Sequence, residues 1–173
     1  MIRALGPGSL SSFLKVILDV AYYVLWLFAV AAVAAIIGLL LISFDPKILP
    51  DVVRVHLDTD PLAAALELTG VELYVIGVII IVQRLRRVFA TMTAGDPFHP
   101  DNVRRLRVIG LVLALMEVDR YVFGAIARYG LHQTHESGGG LNLTAWFAVL
   151  VIVVLAEVFR EGARLRRDAE LTI

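Results

Sequence analysis

VAYYVLWLFAVAAVAAIIGLLLI, Val20–Ile42, runs for 23 residues without a charge. As a helix it reaches about 34 Å, against a hydrocarbon core of about 30 Å. The apolar region of a cleaved signal peptide is only about 7–15 residues, so the stretch reads as a retained transmembrane helix. Barrel strands need about 9–11 residues, and lipid offers backbone groups no partner outside a helix or a closed barrel. The run therefore predicts an all-α membrane protein.

Composition agrees. Of the 173 residues, 59% are apolar and mean hydropathy is +0.81, whereas soluble domains hold about 45–50% apolar residues. Formal net charge is zero, so neither a general polyanion affinity nor direct nucleic-acid binding is expected. Cysteine is absent, which excludes disulfides, iron–sulfur clusters and thiolate chemistry.

Outward from Val20–Ile42, the hydropathy pattern predicts a single domain with four spans, at about 18–43, 65–84, 107–128 and 143–161. The fold class expected is a four-helix transmembrane bundle. Lys15 and Asp19, four apart, can pair at the entry of the first helix. Asp45-Pro46, Pro50-Asp51 and Asp60-Pro61 punctuate the first loop, and Val53–Asp58 alternates like a short strand. A second loop holds His132, His135, Glu136 and Gly138–Gly140.

Lys and Arg near span ends mark the cytoplasmic side. One side collects Arg3, Lys15, Arg84, Arg86, Arg87, Arg104, Arg105, Arg107, Arg160, Arg164, Arg166 and Arg167, and the other only Lys47, Arg54 and Arg128. Both termini, the hairpin at 85–106 and the helix end at 160–173 are thus expected in the cytoplasm.

Ionisable residues inside spans should face protein or water. On the third helix, Gly110, Ala114, Glu117, Tyr121, Gly124 and Arg128 share a narrow face, expected to point inward. Arg120 is one turn from Glu117 and can pair with it. Asp119 points nearly the opposite way, toward another neighbour, a water pocket or a second protomer. On the second helix Ala65, Thr69, Glu72, Ile76 and Gln83 share a face; on the fourth, Trp146, Leu150, Val153, Glu157 and Arg164 do. An inner cluster of Asp19, Glu157 and hairpin arginines is expected, with a middle one of Glu117, Asp119 and Arg120. The middle cluster, with Glu72 and Tyr121, can serve as a helix-register lock or as an ion pathway.

Enzyme signals are weak. His132-x-x-His135-Glu136 is not the zincin order, and Gly138–Gly140 lacks the Lys and Ser/Thr of a phosphate loop. No cofactor, metal or catalytic residue is expected.

Two cytoplasmic motifs remain. The hairpin carries Gly95, Asp96, Pro97, Phe98, Asn102, Arg104, Arg105, Leu106 and Arg107; the tail carries Glu157, Phe159, Gly162, Arg164, Leu165, Asp168, Leu171, Thr172 and Ile173. Pro97 sets a turn, Phe98 can pack back under the hairpin, and Asn102 can cap the third helix. The arginines can bind lipid phosphates or pair with Glu161, Asp168 and Glu170; Leu171 and Ile173 can dock on the hairpin.

The segments Gly95–Gly110 and Ala156–Ile173 resemble the bacterial membrane proteins of domain-of-unknown-function family 2975. Their shared pattern is a Gly-x-Pro-Phe turn, an Asn, an Arg-Leu-Arg run, a Phe-x-x-x-Gly segment and a Leu-Thr-Ile-like end. The resemblance implies four transmembrane helices in a bacterial cytoplasmic (inner) membrane and a regulatory role beside a small helix-turn-helix repressor-like protein. It implies no catalytic residues. The expected function is a non-enzymatic docking partner of such a regulator, with membrane lipids and a second copy of the chain as further partners. The alternative is a small oligomeric transporter or channel subunit.

Overall fold

The computed structural model describes residues 10–45, 60–126 and 141–171. Among these the chain is all-helical: α1 Leu10–Phe44, α2 Pro61–Thr93, α3 Pro100–Ala125 and α4 Leu143–Glu170. The alternating segment Val53–Asp58, the His132–His135–Glu136 loop, Arg128, Thr172 and Ile173 lie outside the described residues.

The helix starts follow from their caps. Asp60, read from sequence as loop punctuation, accepts the Leu62 N–H at its Oδ1 (3.1 Å), and Pro61 opens α2. Proline suits a first helical position because the missing N–H is an orphan there anyway. His99 and Pro100 repeat the device: the Asp101 N–H donates to His99 Nδ1 at 3.2 Å. Asn142 caps α4 by accepting from the Ala145 N–H at 3.3 Å. Asn102 is therefore not the cap of α3. It sits inside the helix, fully buried.

Three helices, Phe13–Phe44, Pro61–Thr93 and Leu143–Ala169, are long and apolar enough to cross a membrane. Only 11%, 33% and 6% of their most apolar windows is buried within the chain. Apolar surface left open on that scale needs lipid around it. In α3, Glu117, Asp119 and Arg120 interrupt the apolar run. The chain is a small, all-α, multi-pass membrane protein with four helices among the described residues.

The helices contribute to two compact units: Met1–Val24 with Gly77–Leu115 and Asn142–Ile173, and Leu25–Ile76 with Met116–Leu141. In the first, Leu106, Ile109 and Ala156 form a buried core, joined by Ile81, Leu85, Leu113, Ile152 and Phe159. Gly110 lets α3 approach α4, since a Cβ there would lie 3.4 Å from Ile152. In the second unit the buried residues are mostly small: Ala29, Ala32, Ala63 and Ala65. Small side chains let helices approach closely enough for backbone and side-chain packing to replace lipid. Gly70 is the tightest point, with the Phe123 ring 2.8 Å from where a Cβ would stand.

The inward face expected on α3 holds for Gly110 and Glu117, which are buried, and for Ala114 and Tyr121, which are half-buried, but not for Gly124, where a Cβ would meet open space. On α2, Glu72 and Ala65 are buried but Ile76 is exposed. The face expected on α4 is corrected: Trp146, Leu150, Val153, Glu157 and Arg164 are exposed, and Ala156 with Ile152 and Phe159 turns inward. Five of the charged residues of α4 are served along their own helix, so nothing draws them into the core. Glu157 pairs with Arg160, and Arg164 with Glu161 and Asp168.

Candidate functional site

The hairpin between α2 and α3 is closed by backbone geometry first. The Gly95 N–H donates to the Met92 carbonyl (3.1 Å) and the Asp96 N–H to the Thr91 carbonyl (3.0 Å). This pair of bonds ends a helix only if the residue after the cap is left-handed. Gly95 supplies that, at φ 82°. Pro97 and Phe98 follow, and the Asn102 N–H returns to the His99 carbonyl at 2.9 Å as α3 begins.

Asn102 then locks the two helices together. Its Nδ2 donates to Thr91 Oγ1 (2.8 Å) and to the Pro97 carbonyl (3.0 Å). The Thr91 O–H in turn donates to the Val88 carbonyl at 2.7 Å. Asn102 Oδ1 accepts from Arg105 Nη1 at 2.8 Å, and the same nitrogen reaches the Arg87 carbonyl at 3.0 Å. Both amide donors and the amide oxygen are thus partnered without contact with solvent, which makes a buried polar side chain specific rather than costly. Leu106, one turn on, enters the apolar core.

The hairpin tip meets α4. Phe98 packs on Phe159 with ring centroids 5.8 Å apart. It also fills the notch at Gly162, where a Cβ would come within 2.6 Å of the ring. Asp96 pairs with Arg166. Both partners of that pair are substantially solvent-exposed, so it is worth about 0–1 kcal/mol. The aromatic pair contributes about 0.5–1.5 kcal/mol beyond its area burial and is the stronger of the two. The contact between hairpin and tail therefore exists, with the charges reversed from expectation: the hairpin gives the acid and the tail the arginine. Glu161 and Asp168 serve Arg164 instead. Leu171 does not dock; it is 82% exposed, as Leu165 is at 60%. Arg104 and Arg107 are exposed on α3.

On the α1 side, Arg86 pairs with Asp19 and lies 4.5 Å from the centre of the Tyr22 ring. Of the inner cluster expected from sequence, Asp19 and a hairpin arginine come together; Glu157 does not join them, and Asp19 takes Arg86 rather than Lys15. Thr91 and Arg166 were not foreseen. No local pattern announces either, since their partners lie 11 and 70 residues away.

In the second unit the middle cluster forms in part. Arg120 donates to Glu117 Oε2 from Nε (3.2 Å) and Nη2 (3.1 Å). Its guanidinium also lies 4.7 Å from the centre of the Tyr121 ring. Glu117 is buried; Asp119 is half-buried and makes no ion pair among the described residues. Glu72 is buried with Oε2 lacking a hydrogen-bond partner. Among the described residues no group of His, Cys, Asp and Glu could hold a metal ion.

Two substitutions test these two clusters. Asn102→Ala strands the hydrogen-bonding groups of Thr91, Pro97 and Arg105 and is expected to cost about 1–3 kcal/mol, read as a lower Tm in detergent; an unchanged Tm would remove the amide from the hairpin's support. Arg120→Leu leaves Glu117 buried without its cation, at about 3–5 kcal/mol; wild-type yield and Tm for this variant would mean that the pair does not hold α3 in place.

No curated protein and no solved structure matches the chain. Residues 51–173 match the family model described as protein of unknown function (DUF2975). That span takes in the hairpin, its asparagine and the α4 end, and the chain belongs to this family.

Proposed function

We propose that the chain is a non-enzymatic protein of a bacterial inner membrane whose hairpin and α4 end form one cytoplasmic docking surface for a regulator. The observation that carries this is the seating of Phe98 against Phe159 and Gly162. It joins two motifs 60 residues apart in the chain into a single surface. On the same two elements, Arg104 and Arg107 of α3 and Leu165, Arg167 and Leu171 of the α4 end are exposed. Such a mixture of charge with open apolar side chains suits a protein partner better than bulk water. The resemblance to the family makes a helix-turn-helix regulator the partner of choice.

The topology that goes with this function has four spans, with both termini and the hairpin in the cytoplasm. Arginine placement supports it. Crossing by α3 is supported by the Glu117–Arg120 pair, which leaves only Asp119 as a net charge in its apolar stretch.

A photo-crosslinking amino acid at Leu165, in living cells, tests the docking function. The expected adduct is a soluble protein with a helix-turn-helix sequence. Gly162→Val, which displaces Phe98, should lower its yield about tenfold, the factor equivalent to 1.4 kcal/mol of interface energy. Adducts to lipid alone, or to a second copy of the chain alone, would overturn it.

Transport through an oligomer is the other function with an observation behind it, the buried and unpartnered carboxylate oxygen of Glu72. Intramembrane acids of this kind often mark ion or proton paths. Purified protein in liposomes would then show pH-gradient-driven flux that Glu72→Gln abolishes. Equal flux in the variant would take Glu72 out of any pathway.

A further inference from the structure

In the unit that holds the hairpin, each described acid is engaged by an arginine. Asp19 is taken by Arg86, Asp96 by Arg166, Asp101 by Arg105, Glu157 by Arg160, and Glu161 and Asp168 by Arg164. Arg84, Arg87, Arg104 and Arg107 have no acidic partner among the described residues. Three of the four are exposed. Arg84 differs. It is half-buried, and its Nε is buried without a hydrogen-bond acceptor. Its chain neighbours Ile81 and Leu85 pack on the apolar core, so the side chain leaves its helix beside that core.

A buried guanidinium N–H without an acceptor costs free energy that an anion would recover. Arg84 directly follows the uncharged run Leu73–Val82 and Gln83, which puts it at the level of lipid headgroups once α2 spans the membrane. Arg87 is one turn further and on the same side of α2. Arg105 reaches the Arg87 carbonyl, so α3 passes at this level too, with Arg104 and Arg107 exposed on either side of Arg105 in the sequence. A guanidinium presents a planar fork of donors that matches two oxygens of a phosphate.

We infer that Arg84 is the centre of a binding site for the phosphodiester of an anionic phospholipid, with Arg87 as its second ligand and Arg104 and Arg107 as surrounding charge. The anion completes the hydrogen bonding of Arg84 and neutralises arginines of α2 and α3 that have no acidic partner among the described residues. The inference rests on the membrane setting of α2 and is independent of any cytoplasmic partner: a chain that captures no regulator would still bind the lipid.

Full-length protein, stripped of lipid in a non-ionic detergent, is titrated with phosphatidylglycerol or phosphatidylcholine. Bound lipid is counted by native mass spectrometry and Tm is followed in parallel. Wild type should retain phosphatidylglycerol in preference to phosphatidylcholine and gain Tm from it. Arg84→Gln should weaken phosphatidylglycerol binding about tenfold, as loss of a charge-assisted contact implies. Arg84→Lys, which keeps charge but not the fork, should fall between the two, and Arg104→Gln should weaken it less than Arg84→Gln. Equal retention of the two lipids by wild type would overturn the site, as would unaltered binding in Arg84→Gln. Displacement of phosphatidylglycerol by millimolar inorganic phosphate would make soluble phosphate the occupant and overturn the lipid assignment. Should Arg84→Gln fail to fold, the wild-type comparison and Arg84→Lys decide the question.

Discussion

One side chain amide holds the hairpin. Asn102 is fully buried, and it ties the last turn of α2, the turn at Pro97 and the side chain of Arg105 into one network. The Gly95 turn sets the direction of the chain, but two backbone bonds at a helix end cannot fix how α3 lies on α2. Asn102 does that, because its Nδ2 reaches both α2 and the turn, while its Oδ1 holds the Arg105 guanidinium that reaches back to α2. With α3 held in register, Leu106 and Ile109 meet Ala156, and Phe98 is delivered to Gly162.

Charge is handled differently in different parts of the chain. In α3, where Glu117 is buried and an unpaired charge is costly, Arg120 stays on it with two hydrogen bonds and an aromatic face. Along α4 the ion pairs are exposed and lie between residues three or four apart. Such pairs add little stability; their consequence is that the charged face of α4 stays outward and open. The hairpin carries more arginine than its neighbours neutralise. Both the proposed cytoplasmic orientation and the proposed lipid site rest on that surplus.

Glycine has separate uses in this family member. Gly95 provides a left-handed cap that a residue with a Cβ would adopt only with strain. Gly162 provides space, since the ring of Phe98 occupies the volume its side chain would need. The hairpin and the α4 end are thus coupled by shape before they are coupled by charge. A docking partner that touches both would read a surface whose geometry was set by Asn102, some distance from the contact itself.

Much of this was legible in the residues. Four long helices, their approximate limits, the inward face of α3 and the Glu117–Arg120 pair follow from charge-free runs and helical spacing, because lipid tolerates almost nothing but helices and penalises unpaired charge. The link between hairpin and tail could be read only as an attraction, and with its sign reversed: many acids and arginines lie in both segments, and spacing along a helix does not say which partners meet across helices. The outward turn of Glu157 on α4 was hidden for the same reason. Asn102 looked like a cap because Asn near a proline-led helix start usually is one; His99 takes that place instead, and the amide faces Thr91, 11 residues earlier in the chain. Sequence alone determined the helices and the membrane, which depend on local composition. Tertiary structure decided which polar atoms are satisfied and which, like Arg84 Nε and Glu72 Oε2, are left over, because that depends on the neighbours that packing brings together.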